Sequence, residues 1–263
     1  MSKSSFGFDP KFLSEVKKPN FFLLGAGRCG TTTLYHMLRQ HPEVYMPDIK
    51  EPSFFCSYFQ VVKDPISYFS LFSASDGHKA VGEASHVYFS NPESAPIIHL
   101  LFPNAKFILI LRDPVRRAFS LYRWTRHNGL EDRPTFEEAI IAEKTRFRDR
   151  RFFSTCPHYF WNFMYIRSSY YHIQLRRYLR FYPLERFFVL SLYELTTETE
   201  LWMRRIYQFL GVSPNFTPSP VHLNAIEGEE LNPRTKILLE RHFRSVISDT
   251  TRIVGRDLRL THR

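Results

Sequence analysis

One stretch decides how this chain folds: Phe21-Phe22-Leu23-Leu24-Gly25-Ala26-Gly27-Arg28-Cys29-Gly30-Thr31-Thr32-Thr33-Leu34. Its four leading apolar residues indicate a short buried strand. A turn with three glycines follows, and Leu34, Met37 and Leu38 then share one face of a predicted helix. A strand, a glycine-rich turn and a helix N-terminus together favour an anionic ligand, because backbone N–H groups and the helix dipole converge there.

The spacing of this loop is Gly25-x4-Gly30-Thr31-Thr32, which is close to the phosphate loop of nucleotide triphosphatases. Those loops carry a Lys where Thr31 stands, and here the cation has moved inside the loop to Arg28. The pattern therefore favours phosphate binding without the usual Mg-ATP arrangement. An ordinary glycine-rich turn between a strand and a helix has the same composition, so this stretch alone leaves both interpretations open.

A second apolar run, residues 107–111, is typical of a parallel strand that is covered on both faces. Arg112 follows this strand, and Ser120 lies about two turns into the next predicted helix, with Pro114 in its first turn. Both side chains can point to the carboxyl edge of the sheet, where ligands of open α/β sheets bind. An Arg fork and a hydroxyl suit a terminal phosphate. The alternative is an ion pair of Arg112 with Asp113 or another neighbouring acid.

Together the two segments resemble the sulfotransferase family that uses 3′-phosphoadenosine 5′-phosphosulfate (PAPS). In that family the first loop cradles the 5′-phosphosulfate, and an Arg and a Ser eight positions apart hold the 3′-phosphate. Arg112 and Ser120 match that spacing, and Arg28 stands where the family usually has a loop Lys. The resemblance extends from about Pro19 to residues 256–257 and implies PAPS as co-substrate, with no metal.

The resemblance also implies the residues of the site. Arg28, with the loop amides, would stabilise charge on the leaving phosphate. The cofactor-binding residues would be Gly27, Arg28, Cys29, Gly30, Thr31, Thr32, Thr33, Arg112, Ser120 and Arg234. Arg234 is the match by position for a basic contact from the long loop, residues 213–233, that closes over the nucleotide in the family.

Two residues are candidates for the base that removes the acceptor proton. Glu51, in Lys50-Glu51-Pro52-Ser53-Phe54-Phe55, resembles the catalytic carboxylate of the glycosaminoglycan branch. His86 falls where the small-molecule branch has its catalytic His, while Ala84 stands about where the glycosaminoglycan branch has a Lys. We expect Glu51 to be the base and His86 to orient the acceptor. An ion pair of Glu51 with Lys50 or Arg28, and a structural role for His86, are the alternatives.

Composition agrees with a globular enzyme that handles an anion. The chain has 263 residues, of which 43% are hydrophobic, and a formal net charge of +10. No nucleic-acid-binding motif accompanies the charge, so we expect no nucleic acid partner. The three cysteines do not form a disulfide framework, and the eleven histidines lack zinc-type spacing. The basic segment 146–151 either lines an entrance for an anionic substrate or is a solvated face.

No stretch of the sequence approaches the roughly 18 apolar residues of a membrane span. Animal carbohydrate sulfotransferases are Golgi proteins with a membrane anchor. We therefore expect either a cytoplasmic enzyme or a trimmed Golgi enzyme, and Met1 favours the cytoplasmic one, without a membrane partner. The sequence leaves the oligomeric state open.

The sequence thus predicts an α/β fold: an N-terminal extension, 1–18, and a single sulfotransferase domain, 19–263, with a parallel central sheet of four to five strands and helices on both faces. The predicted reaction moves a sulfuryl group from PAPS to a hydroxyl, amine or guanidinium nitrogen of a small-molecule acceptor and releases adenosine 3′,5′-bisphosphate. A carbohydrate acceptor is the alternative. A phosphate-loop kinase or NTPase and a non-catalytic binder of polyanions are further alternatives.

Overall fold

The computed structural model describes residues 10–221 and 230–261. Its strands are β1 (Phe21–Gly25), β2 (Val44–Tyr45), β3 (Ala80–Ala84), β4 (Lys106–Leu111) and β5 (Phe187–Ser191). The α-helices in these ranges are α1 (Pro10–Glu15), α2 (Thr31–Arg39), α3 (Pro65–Ser70), α4 (Val87–Ser90), α5 (Ser94–Leu101), α6 (Pro114–His127), α7 (Phe136–Arg146), α8 (Arg150–Thr155), α9 (Tyr171–Tyr178), α10 (Leu192–Thr197), α11 (Thr199–Leu210) and α12 (Pro233–Val254). Short 3-10 helices span Phe160–Phe163, Arg167–Ser169 and Leu184–Arg186.

The five strands form one all-parallel sheet in the order β2-β3-β1-β4-β5, flanked by helices. The predicted fold class, an α/β domain with a parallel sheet of four to five strands, is confirmed. β1 lies between β3 and β4. Because the three strands are parallel, the loops that follow them start at the same edge of the sheet. Their loops therefore meet at the carboxyl ends of the strands, where the sequence predicts the ligand.

A glycine residue determines the backbone conformation at the end of the loop after β1. Gly30 precedes α2 with φ 91°, a left-handed conformation that a side chain would strain. The backbone then enters α2, whose Thr31, Leu34 and Leu38 are buried. The predicted strand, turn and helix are thus all present, and the first turn of α2 opens onto the carboxyl edge of the sheet.

The second motif also folds as its sequence predicts. The Asp113 side chain caps α6 by accepting from the backbone N–H of Arg116 at 2.8 Å, and Pro114 occupies the first turn. This cap uses Asp113 locally and leaves Arg112 at the end of β4. Since β4 lies beside β1, α6 begins next to the glycine-rich loop.

Several boundaries differ from the sequence prediction. The apolar pattern of the sequence predicts helices over 168–181 and about 235–246. In the structure the first begins only at Tyr171, after a 3-10 turn, and the second runs to Val254. The two-residue strand β2 is too short for a pattern of alternation to reveal it. α1 lies inside the predicted N-terminal extension, and its Phe12 packs edge-on against Phe69 with ring centroids 5.7 Å apart. The division at residue 19 stays a prediction.

The side chains of Arg146 and Tyr68 are buried and stabilise the fold. Arg146 is 9% exposed and forms two hydrogen bonds with the Glu131 carboxylate, at 2.6 and 2.7 Å. It anchors the segment after α6 and does not lie at an entrance. Tyr68 is fully buried, stacks on Phe54 with ring centroids 4.4 Å apart and donates to Glu83, so it belongs to the core.

Candidate functional site

A cleft of about 810 Å³ opens between the two motifs. Its basic lining residues are Arg28, Arg112, Arg116, Arg123 and Lys236. Gly30, Thr31, Thr32 and Thr33 contribute the first turn of α2, and Ser120 lies on the opposite wall. A helix N-terminus surrounded by this many cations suits a ligand with several negative charges.

The structure brings Arg28 to the second motif. Its Nε donates to the Ser120 hydroxyl at 3.3 Å, although the two residues are far apart in sequence. Burial and then the neighbouring charge of Arg112 lower the pKa of the Arg28 guanidinium. Two close cations repel one another, and an anion placed between them and Ser120 would relieve that repulsion.

Two further residues of the loop, Cys29 and Gly27, make close contacts within the protein. Cys29 is buried, its backbone N–H donates to the Ala26 carbonyl at 3.2 Å, and its thiol faces Gly27 and Tyr171. Burial raises the pKa of this thiol, which argues against a nucleophile. Gly27 carries the His86 ring so closely that an added Cβ would lie 2.6 Å from His86 Cδ2. No larger residue fits at position 27 without moving that ring.

Glu51 and His86 form a direct pair beside the loop. One carboxylate oxygen of Glu51 accepts from His86 Nδ1 and from the His86 backbone N–H, and the other accepts from Lys50. Both side chains of the pair are 23% exposed. Burial would raise the pKa of Glu51, but the charges and hydrogen bonds of His86 and Lys50 outweigh burial and lower it to about 2.

The pairing fixes the tautomer of His86. A carboxylate only accepts, so Nδ1 carries the proton and Nε2 keeps a free lone pair in the neutral ring. Nε2 is the ring nitrogen near Gly27, at 3.3 Å from a Cβ built there. The lone pair therefore lies beside the phosphate loop, in the arrangement that catalytic dyads use to present a base.

Aromatic side chains stand next to this pair. His158 packs between Phe59, at 4.7 Å, and Trp124, at 5.4 Å, and Tyr159 meets the edge of the His86 ring at 6.4 Å. Asn162 donates to His158 Nδ1 at 3.1 Å, which leaves the His158 proton on Nε2. Sequence reasoning missed His158, because nothing local distinguishes it from the other ten histidines.

Arg234 is placed differently from the other predicted ligands. It is exposed in the first turn of α12, while Lys236, two residues further on, lines the cleft together with Leu231 and Glu240. Part of the predicted closing loop, residues 222–229, lies outside the described residues. The contact from Arg234 stays a prediction, and Lys236 is the basic residue of this segment at the cleft.

Residues 10–221 and 230–261 contain no group of three or more His, Cys, Asp and Glu side chains placed to hold a metal ion. Over the same ranges, no helix is long and apolar enough to cross a membrane.

Comparison with known proteins identifies relatives of the whole fold. A crystal structure of a sulfotransferase from Alicyclobacillus acidocaldarius is 31% identical, with a TM-score of 0.82 over 94% of this chain and 100% of that chain. A mouse sulfotransferase complexed with PAP shares the fold at 12% identity, with a TM-score of 0.57 over 91% of this chain and 88% of that chain.

Human carbohydrate sulfotransferase 15 is 26% identical over 250 residues, which cover 74% of this chain. The chain spans only 44% of that relative's length. The family model of the sulfotransferase domain matches residues 18–231, most of the chain. The chain therefore belongs to the sulfotransferase family.

Proposed function

We propose that this sulfotransferase takes the sulfuryl group from PAPS and transfers it to a hydroxyl or amine of a small-molecule acceptor. The observation that carries the donor assignment is the meeting of Arg28, Arg112 and Ser120 in one cleft at the N-terminus of α2. This cleft offers one anion site at the loop and a second at Ser120, which suits a nucleotide with phosphates on both its 5′ and 3′ positions. The PAP complex of the mouse relative supports the same choice.

His86 fits the role of base better than Glu51 does. A carboxylate with a pKa of about 2, already engaged by His86 and Lys50, has little tendency to take a proton. His86 Nε2 holds a free lone pair beside Gly27. We therefore propose the reverse of the sequence-based assignment: His86 accepts the proton and Glu51 orients it.

The reaction then balances as follows. The acceptor oxygen or nitrogen attacks sulfur, and its proton moves to His86 Nε2. The bond between sulfur and the bridging oxygen breaks, and its electron pair stays on the 5′-phosphate. Arg28 and the amides of the loop stabilise the charge that develops there. In-line geometry would place sulfur at the loop on the side where His86 Nε2 lies, close to Gly27.

The aromatic lining favours a small acceptor with a flat or apolar body. The partly exposed rings of Phe59, Trp124 and His158 pack together close to the Glu51–His86 pair, whose charges act on His158. A carbohydrate acceptor is the second candidate, supported by the likeness to carbohydrate sulfotransferase 15. Location in the cytoplasm stays a prediction from the sequence.

Mass spectrometry of an acceptor panel tests the proposal. The protein is incubated with PAPS and with sugars, phenols, alcohols, amines or guanidinium compounds, and products are searched for the mass of one added SO₃ group. We expect sulfated phenols or alcohols with the wild type and strongly reduced product with His86→Asn. Sulfation of sugars alone would establish the carbohydrate alternative. Release of phosphate from ATP in place of any sulfated product would overturn the donor assignment.

A further inference from the structure

A buried arginine lies directly beneath the phosphate loop. Arg117, on α6, is 4% exposed. Its Nε donates to the carbonyl oxygen of Gly27 at 3.1 Å, and its guanidinium also donates to the hydroxyls of Ser168 and Ser169, at 2.5 and 3.0 Å. Within residues 10–221 and 230–261, no carboxylate forms an ion pair with Arg117. The buried carboxylate of Glu143 feels the charge of Arg117 without forming an ion pair with it, so the cation is only partly compensated, which is costly in the protein interior.

The two serines are arranged as acceptors for this guanidinium. Ser168 donates its own hydroxyl proton to the Met164 carbonyl, and Ser169 donates to the Tyr165 carbonyl at 2.9 Å. Both hydroxyl oxygens therefore keep their lone pairs for Arg117. The 3-10 turn Arg167–Ser169 is thus tied to the loop through one side chain.

The bond to Gly27 also sets the direction of the next peptide N–H. The peptide bond is planar and trans, so the N–H of Arg28 points opposite to the Gly27 carbonyl. Since Arg117 holds that carbonyl toward the protein interior, the Arg28 N–H is directed away from it. Gly27 is held on another side by the His86 ring. Arg117 therefore fixes the loop residue that both the anion site and the proposed base contact.

The positive charge of Arg117 acts electrostatically on the loop residue Cys29. Burial raises the pKa of the Cys29 thiol, and Arg117 is the foremost influence in the opposite direction, ahead of Arg112 and Arg28. A positive charge that favours an anion at Cys29 also favours an anion bound at the neighbouring loop amides. The partly compensated charge of Arg117 and the anion site of the loop are thus complementary.

We propose that Arg117 is a positioning residue for the nucleotide: it fixes the phosphate loop through Gly27 and places a buried positive charge beneath the 5′-phosphosulfate. This inference rests on the proposed function, because it takes PAPS as the donor. Arg117 is buried behind the loop and does not line the cleft, so it would act through the loop. Its sequence signal is weak, since it lies beside Arg116 and only the fold distinguishes the two.

The test compares Arg117→Met with Arg146→Met. Both substitutions remove a buried arginine, but Arg146 pairs with Glu131, away from the cleft. Binding of adenosine 3′,5′-bisphosphate is measured by calorimetry, well below each variant's melting temperature, and KM for PAPS and kcat are measured on a confirmed acceptor. We expect Arg117→Met to weaken nucleotide binding by roughly 10- to 100-fold, with a raised KM for PAPS. Arg146→Met should lower the melting temperature and leave the affinity unchanged.

Arg117→Lys serves if Arg117→Met does not fold, because it keeps the charge and loses the fork that reaches Gly27 and both serines. We expect it to bind the nucleotide about 10-fold more weakly than the wild type. Wild-type affinity in the Met or the Lys variant would overturn the role of Arg117 while the proposed function stands. A wild type that fails to bind the nucleotide would overturn the proposed function itself.

Discussion

Arg28 and Glu51 both lie in left-handed backbone conformations, with φ of 67° and 66°. This conformation costs a non-glycine residue on the order of 1 kcal/mol or more, so neighbouring contacts must hold it. Glu51 is held by its backbone N–H, which donates to the Ala84 carbonyl at 2.8 Å, and Arg28 by its bond to Ser120. Arg28 is thereby directed to Ser120, and Glu51 to His86.

The pair of Glu51 and His86 yields a first prediction. His86→Asn removes the proposed base, and we expect turnover to fall by roughly 10³-fold while nucleotide binding is kept. Glu51→Ala removes the charge that orients His86 but places no donor at Nδ1, so His86 Nε2 can still accept a proton and a smaller fall than with His86→Asn is expected. Steady-state kinetics at saturating PAPS measures both. The opposite order would identify Glu51 as the base, as the sequence had suggested.

Gly27 yields a second prediction at the same scale. In Gly27→Ala the new methyl would press on the His86 ring, which Glu51 holds in place, and we expect a loss of roughly 1–3 kcal/mol in the free energy of unfolding. Turnover should fall strongly, because the His86 ring and the glycine-rich loop can no longer come as close to one another. Gly77→Ala is the control: its Cβ meets open space, although φ is 82°. Equal activities in the two variants would show that the contact of His86 with Gly27 is unimportant.

At the scale of elements, β3 and the helix α4 that follows it hold Glu51 and His86 in position relative to one another. Glu83 is fully buried on β3 and accepts from the Tyr68 hydroxyl of α3 at 2.9 Å. Ser85 accepts from the backbone N–H of Ser53, and Tyr88 from that of Phe55. The segment that carries Glu51 is thus joined to the segment that carries His86 by side chains of one buried polar cluster.

Glu83 makes this cluster sensitive to pH. Burial raises the pKa of Glu83 to about 7, against opposing hydrogen bonds from Ser85, Tyr68 and Tyr88, and the nearby charge of Glu51 raises it further. The folded state therefore holds the proton more tightly than the unfolded state. The contribution to stability is complete below about pH 4.5 and is lost as the pH rises through 7.

We expect the wild type to lose roughly 2–3 kcal/mol more stability than Glu83→Gln between pH 5 and pH 8. Urea unfolding of both proteins at several pH values measures this difference. Glu51 does not interfere, since its lowered pKa of about 2 makes its contribution constant above about pH 4.5. Parallel stability curves for the two proteins would contradict the raised pKa of Glu83.

The elements that the sequence predicts well are those with a local signal. The apolar runs mark β1 and β4, and the glycine-rich turn and Pro114 mark the starts of α2 and α6. The bonds of Arg117 to Gly27, Ser168 and Ser169 have no local signal, because they join parts of the chain that meet only when β4 has paired with β1. The partner of Glu51 was equally hidden: Lys50 and Arg28 were considered, but the structure adds His86.

For the whole molecule, the sheet order explains how two distant motifs become one site. β1 and β4 are neighbours, so the glycine-rich loop and the start of α6 meet at the same edge. The segment 230–236 and α12 close the other side of the cleft through Leu231, Lys236 and Glu240. The net charge of +10 adds a field that attracts anionic ligands toward this cleft.

Calorimetry of nucleotide binding tests the central claim, that the cleft recognises a 3′-phosphorylated adenosine nucleotide. Adenosine 3′,5′-bisphosphate, adenosine 5′-phosphate and Mg-ATP are titrated into the wild type and into Ser120→Ala. We expect the bisphosphate to bind roughly 100-fold more tightly than the 5′-phosphate, through charge-assisted bonds to Arg112 and Ser120, and Ser120→Ala to lose part of that preference. Tighter binding of Mg-ATP, or equal binding of the two adenosine phosphates, would contradict the claim.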